Sequence, residues 1–138
     1  MRIIRAVVSS VLICLSACAP MHERILDSEQ SQVQLRSIQS RAFDTSDRER
    51  TLRAVIATLQ DLSFVVDKAD LELGTVSATK LDGYSLRMTV SVRQRGKSEV
   101  VVRANAQFNE RAVTDPKPYQ SFFVALERAM FLSANSVD

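Results

Sequence analysis

The stretch YSLRMTVSVR, residues 84–93, alternates polar and apolar side chains almost without a break. Successive side chains of a β-strand point to opposite faces, so this alternation predicts a strand with two chemically different sides. One side would carry Leu86, Met88, Val90 and Val92. The other would carry Ser85, Arg87, Thr89, Ser91 and Arg93. The stretch therefore predicts an antiparallel sheet with a dry face and a solvated face.

The neighbouring segments extend this sheet in both directions. After a turn at Gly96, residues 99–108 alternate in the same way, with Val100, Val102, Ala104, Ala106 and Phe108 on the apolar side. Before it, the pair Asp82-Gly83 has the composition of a type I′ hairpin turn, which predicts a partner strand over residues 73–81. Phe64 to Asp67 form a further short strand candidate, followed by a polar connection over residues 68–72.

Two amphipathic helices flank the strands. Ser46 and Glu49 have the spacing of a capping box, which predicts a helix from about Asp47 to Leu62 with Ser46 as the N-cap. Its apolar stripe would consist of Leu52, Val55, Ile56, Leu59 and Leu62. The second helix is expected from about Pro118 to Leu132, with a stripe of Tyr119, Phe122, Phe123, Leu126 and Met130. Each stripe predicts one buried helix face.

These elements predict an α+β two-layer sandwich. Residues 33–43 show a broken period of two, which indicates an irregular or edge strand at the start. The expected order is β-α-β-β-β-β-α, with a mainly antiparallel sheet of about four to five strands and both helices on its apolar face. We expect one domain over residues 34–133 and a frayed end over residues 134–138.

The N-terminus has the pattern of a bacterial lipoprotein signal. Arg2 and Arg5 precede a short apolar run that ends in LSAC, residues 15–18. This resembles the site at which lipoproteins are cleaved, so we expect residues 1–17 to be removed. Cys18 would then carry a diacylglycerol and an N-acyl chain. Residues 18–33 would form a tether that holds the domain near the membrane. The resemblance to lipoproteins implies the periplasmic face of the outer membrane, because in such proteins an aspartate directly after the lipidated cysteine favours inner-membrane retention, and residue 19 here is alanine. The alternative is an ordinary secretory signal.

Composition narrows the possible functions. The chain has 18 basic and 16 acidic side chains, and removal of Arg2 and Arg5 leaves equal numbers of each sign. Such a balance disfavours a nucleic-acid partner. Cys14 would be lost with the signal and Cys18 acylated, so no disulfide is expected.

The sequence contains no pattern typical of catalysis. His22 lies in the expected tether and has no acid, base or metal partner nearby in sequence. No phosphate-binding loop or nucleophile elbow is present. The carboxylates of Asp67, Asp70 and Glu72 lack the spacing of an EF-hand and are read as a solvated turn rather than a calcium site. We therefore expect no enzyme activity, no metal and no cofactor beyond the lipid on Cys18.

A candidate docking face lies on the solvated side of the sheet. Arg87, Arg93, Arg103 and Asn105 would share this side and could hold a protein partner or an acidic envelope polymer. The alternative is an ordinary solvated face with unremarkable arginines. Phe122, Phe123 and Met130 could similarly line a lipid pocket between helix and sheet, although core packing explains them more simply in a domain of this size.

Three passages resemble a known family. They are the Phe43-Asp44 pair before the first helix, LQDLSFVVD at residues 59–67, and LGTV at residues 73–76. Together they are similar to small outer-membrane lipoproteins with a BamC-like, helix-grip-like domain, over roughly residues 38–132. The resemblance implies a non-enzymatic structural or accessory subunit of a cell-envelope complex. The alternative is a tethered module that binds a lipid or another hydrophobic ligand.

Overall fold

The structure, a computed structural model, describes residues 31–81 and 85–135, with side chains up to residue 131. The chain divides into two units, Met1–Val33 and Gln34–Asp138, and the second contains the sheet. In chain order the elements are α1 (31–39), β1 (Ser40–Phe43), α2 (Arg48–Asp61), β2 (Val65–Asp70), β3 (Thr75–Leu81), β4 (Ser85–Arg95), β5 (Glu99–Phe108), β6 (Arg111–Ala112) and α3 (Pro116–Asn135).

The sheet has the order β1-β5-β4-β3-β2, and β6 also pairs with β5. Every pairing is antiparallel. Helix α2 packs over β2, β3 and β4, whereas α3 packs over β5 and against α2. Both helices thus cover one face of the sheet, and the predicted α+β two-layer sandwich is confirmed.

The core lies between this face and the two helices. The predicted strand alternation is confirmed, because the side chains predicted to face inward on β4 and β5, from Met88 to Ala106, are at most 1% exposed. Phe108 differs, since 42% of it remains accessible at the end of β5. Helix α2 contributes Leu52, Val55 and Leu59, and α3 contributes Tyr119, Phe122, Phe123 and Leu126. The predicted helical stripes therefore meet the predicted dry face.

The prediction for residues 33–43 is wrong over most of its length. Residues 31–39 are helical, and only Ser40–Phe43 form a strand, which pairs with β5 and is an edge strand of the sheet as predicted. The first part is polar and carries few apolar residues, so it offered no sustained helical period. The helix also includes residues 31–33, at the end of the expected tether. At the other terminus α3 continues to Asn135, two residues into the expected frayed end, and residues 136–138 lie outside the described part.

Helix α2 begins one residue later than predicted. The N-cap is Asp47, whose Oδ1 accepts a hydrogen bond of 2.8 Å from the backbone N–H of Arg50. The Glu49 carboxylate pairs with Arg53 on the next turn, so it does not return a bond to Ser46. A carboxylate at the N-cap also interacts favourably with the positive end of the helix dipole. Asp47 therefore replaces Ser46 as the capping residue.

Strand β2 continues through the segment predicted as a polar connection. The register shifts between Val66 and Lys68, so Asp67 forms a bulge, and pairing with β3 resumes as far as Asp70. A bulge lets a strand absorb one extra residue without losing its partner. The predicted turn at Asp82-Gly83 lies outside the described residues.

Arg48 ties the start of α2 to the turn between β2 and β3. Its guanidinium donates to the carbonyls of Leu71 at 3.1 Å, Glu72 at 2.7 Å and Val92 at 3.3 Å. Gly74 lies directly beneath it at φ +67°, where a Cβ would come within 2.6 Å of the Val92 carbonyl. Only glycine fits this approach without displacing backbone. The contact fixes the position of the helix over the sheet.

The Tyr119 hydroxyl forms hydrogen bonds with backbone groups beside β5. It donates to the Val113 carbonyl at 2.8 Å and accepts from the Ala106 N–H at 3.2 Å. Gln39 donates to the same oxygen at 3.3 Å. Buried polar groups need such partners, because an unsatisfied one costs free energy. The tyrosine thus connects α1, β5 and α3.

Candidate functional site: the outer face of the sheet

The face of the sheet opposite the helices carries the predicted docking residues in adjacent rows. Directly paired residues of antiparallel strands lie on the same face, so the register defines each row. Arg87 lies between Thr79 and Gln107, and Arg103 lies between Ser40 and Ser91. The row between them is Ser77, Thr89 and Asn105, and the next row beyond Arg103 pairs Arg93 with Val101. The structure therefore brings the predicted residues to one face.

The three arginines of this face are exposed. Within residues 31–81 and 85–131, no hydrogen bond or ion pair involves the side chains of Arg87, Arg93 or Arg103. Asn105 is also exposed, whereas the Ser77 and Thr89 hydroxyls lie 3.2 Å apart and share a hydrogen bond. Unpaired guanidinium groups can bind carboxylate or phosphate oxygens in bidentate fashion. The face thus presents free cationic donors.

The register also gives the spacing of the arginines. Arg87 and Arg93 lie on β4, six residues apart, which corresponds to about 20 Å along an extended strand. Arg103 lies on β5 at the level of Ser91, two residues from Arg93. Neighbouring strands are about 4.8 Å apart, so Arg103 is only slightly to one side of the line between the other two. The three form a track along the β4–β5 pair, which we call the arginine track: Arg87, Arg103 and Arg93.

The carboxylates on the same face are occupied locally. Glu99 accepts two hydrogen bonds of 2.7 Å from Arg95, and these bonds lower the pKa of Glu99 and raise that of Arg95. On β2, Asp67 accepts from the Thr79 hydroxyl at 2.6 Å, and Asp70 accepts from the Leu73 N–H at 2.8 Å. The Arg95–Glu99 pair lies at the Arg93 end of the arginine track. Asp67 and Asp70 lie to one side of the track, on β2.

A polar depression lies at the other end of the track. It has a volume of about 330 Å³ and is lined by Ser85, Arg87, Gln107, Asn109 and Glu110. Asn109 and Glu110 form the two-residue turn between β5 and β6, with φ values of +43° and +70°. Both positions of such a turn need positive φ, which asparagine adopts readily and glutamate does not. Sequence analysis missed this turn because it has no glycine.

A second depression lies on the helical side of the molecule. Its volume is about 340 Å³, and its lining includes Leu52, Leu71 and Arg48 at the start of α2. Leu71 and Leu73 are 55% and 66% exposed beside it. By contrast, the aromatic side chains of α3 that could have lined a lipid pocket, Phe122 and Phe123, are buried in the core at 1% exposure or less.

The described residues add little that is typical of catalysis. In residues 31–81 and 85–131 no three metal-ligating side chains come together, and Asp67 and Asp70 have the local partners given above. No described helix has the length and hydropathy of a membrane span. Cys18 and His22 lie outside the described residues.

The sequence matches no protein-family model and no curated protein.

Proposed function

We propose that this protein is a non-enzymatic outer-membrane lipoprotein that acts as a structural or accessory subunit of a cell-envelope complex. The observation that carries the proposal is the arginine track, because three guanidiniums without a hydrogen-bond or ion-pair partner among the described residues share one sheet face. Ordinary solvated sheet faces also carry arginines. Here the opposite face of the sheet packs in the core, so the arginine face is the side of the sheet that a partner could contact. The BamC-like resemblance of the sequence supports the same role.

The lipid anchor is the first part of this proposal. LSAC at residues 15–18 supports it, and the wild type should remain with the membrane fraction through high-salt washing. Cys18→Ser should shift the protein to the soluble periplasmic fraction or leave the signal uncleaved. The measurement is fractionation together with labelled-palmitate incorporation. A processed, membrane-bound Cys18→Ser protein and an unlabelled wild type would disprove the anchor.

The docking face is the second part. A photo-crosslinking amino acid at Asn105 should give one discrete adduct in intact cells, because this exposed position lies between Arg87 and Arg103 on the outer face. The matched control is the same amino acid at Ala57, which is exposed on α2 in the helical layer. Replacing all three arginines of the track with glutamine should abolish the Asn105 adduct. Equal adducts from both positions, or none from Asn105, would contradict the proposal.

A second candidate function is binding of a hydrophobic ligand. The depression at the start of α2 favours it, because Leu71 in its lining is 55% exposed and Leu73, two residues further on, is 66% exposed. A long-chain fatty acid should then shift the methyl resonances of Leu71 and Leu73 and leave those of Leu126 unchanged. Absence of saturable shifts would remove this candidate.

A further inference from the structure

We infer that the arginine track binds an extended acidic protein segment whose carboxylates follow the spacing i, i+2 and i+6. The inference rests on the proposed function and specifies the chemistry of the partner. It depends on the position of each arginine along the strand direction, which the register between β4 and β5 gives directly.

The spacing matches that of an extended chain. Along the sheet, Arg93 and the level of Arg103 are two residues apart, and Arg87 is six residues from Arg93. A partner segment in β conformation rises by about the same 3.3 Å per residue. All three separations are even, so carboxylates at i, i+2 and i+6 would point to the same face of that segment. One extended segment over the β4–β5 pair can therefore meet all three arginines.

The charges on the sheet define where this segment lies. Asp67 and Asp70 lie on β2, two strands away from β4, and would repel an acidic segment placed on that side. Arg95 is already paired with Glu99, so it adds little free positive charge beyond Arg93. Lys68 is also exposed on β2, in register with Ser77, but it lies between Asp67 and Asp70, so the net positive charge of the face comes from the three arginines of β4 and β5. Charge complementarity thus selects an acidic occupant along these two strands.

The groups between the arginines favour a protein segment over a highly sulfated polymer. The row between Arg87 and Arg103 contains Ser77, Thr89 and Asn105, which are neutral donors and acceptors. Such groups can form hydrogen bonds with the amides of a peptide. A polyanion with a charge at every repeat would place some of its anions opposite this uncharged row, where no cation pairs with them. Glu110 at the end near Arg87 would add repulsion against a continuous anionic chain.

The test uses two peptides of identical composition and the full chain in a non-ionic detergent. One peptide carries aspartates at positions 3, 5 and 9 among serine, threonine and asparagine residues. In the other, the middle aspartate moves to position 6, so its carboxylate points away from the face. Fluorescence anisotropy at low salt should show about two- to fivefold tighter binding of the first peptide, the effect of one exposed ion pair. Added salt should weaken binding.

Two variants connect this preference to individual arginines. Arg103→Gln should remove the difference between the peptides, because Arg103 meets the middle carboxylate. The matched control is Arg128→Gln on α3, an exposed arginine in the helical layer, which should keep the difference. Glu110→Gln should strengthen binding of both peptides. Circular dichroism checks that each variant is folded.

Three outcomes would overturn the inference. They are equal affinity for the two peptides, binding unaffected by Arg103→Gln, and binding of dextran sulfate without binding of either peptide. In each case a crosslink from Asn105 in cells would still support the docking role, so the partner chemistry alone would be wrong. Loss of that crosslink as well would remove the proposed function.

Discussion

The two faces of β4 and β5 are built from alternate residues of the same strands, yet different constraints act on the choice of side chain at each face. On the inner face, side chains such as Val90 and Val102 are fully buried against the helices. On the outer face, Arg87 and Arg103 are exposed and unpaired within the described residues. Packing restricts the inner residues to apolar side chains of suitable volume, whereas solvent tolerates many choices outside. The inner face therefore accounts for stability, and the outer face is free to serve recognition.

The sharpest test of this difference is truncation of the inner core. Leu59 is fully buried on α2, so Leu59→Ala should reduce the free energy of unfolding by about 2–4 kcal/mol. On the outer face, Arg103→Gln should change it by less than about 0.5 kcal/mol. Urea unfolding followed by circular dichroism measures both. A loss below about 1 kcal/mol for Leu59→Ala would mean that the helix is not anchored as described.

A smaller effect is expected from the buried hydroxyl of Tyr119. Tyr119→Phe removes the acceptor for the Ala106 N–H and should cost about 1–3 kcal/mol. Thr58 provides a matched control, because its buried Oγ1 has no hydrogen-bond partner. Thr58→Val should be neutral or stabilising, since it removes an unsatisfied polar atom. Similar losses for the two variants would contradict the role assigned to the tyrosine.

The N-cap of α2 gives the next smaller effect. Asp47→Ala should destabilise the protein by about 1 kcal/mol, because the Arg50 N–H loses its acceptor. Ser46→Ala removes no observed hydrogen bond of the Ser46 side chain and should have little effect. Thermal unfolding of the two variants compares the positions. Greater destabilisation by Ser46→Ala would restore the cap predicted from the sequence.

The smallest effect concerns the ion pair on the outer face. Hydrogen bonds from Arg95 lower the pKa of Glu99, so NMR titration should find it below the ordinary 4.5. A lowered pKa contributes stability above the unfolded-state value and loses it as pH falls through the folded-state value. The pair is exposed, so the change in stability should be slight. In Arg95→Gln the Glu99 pKa should rise, and an unchanged titration would contradict the pairing.

Much of the fold could be predicted because local patterns agreed with burial. The alternation of β4 and the stripes of α2 and α3 each mark one buried face, which is the arrangement found. Helix α1 was missed because its few apolar residues, Val33, Leu35 and Ile38, fit a broken period of two and no sustained helical period. Strand β6 has only two residues, too few for any pattern. The bulge at Asp67 depends on pairing with β3, which is a non-local interaction.

The candidate site divides in the same way. Alternation alone placed Arg87 and Arg93 on one side, and Arg103 and Asn105 on one side of the next strand. The positions of Arg87 and Arg93 along the strands relative to Arg103 required the β4–β5 register, which depends on how the whole hairpin pairs. The partner of each arginine also required the structure, because Arg95 pairs with Glu99 whereas Arg93 has no partner among the described residues. Glu110 was missed because a glutamate at positive φ is uncommon.

The hydroxyl of Tyr119 has a consequence for aggregation. Strand β5 has ten residues, and a long uncovered edge of that length could template pairing with another chain. Here β1 covers residues 100–103, Tyr119 takes the Ala106 N–H, and β6 pairs with the last two residues. The coverage comes in short pieces, and β2 at the opposite side is interrupted by a bulge. The strand edges in the described part of the chain are therefore short or interrupted, which disfavours edge-to-edge pairing between molecules at high local concentration.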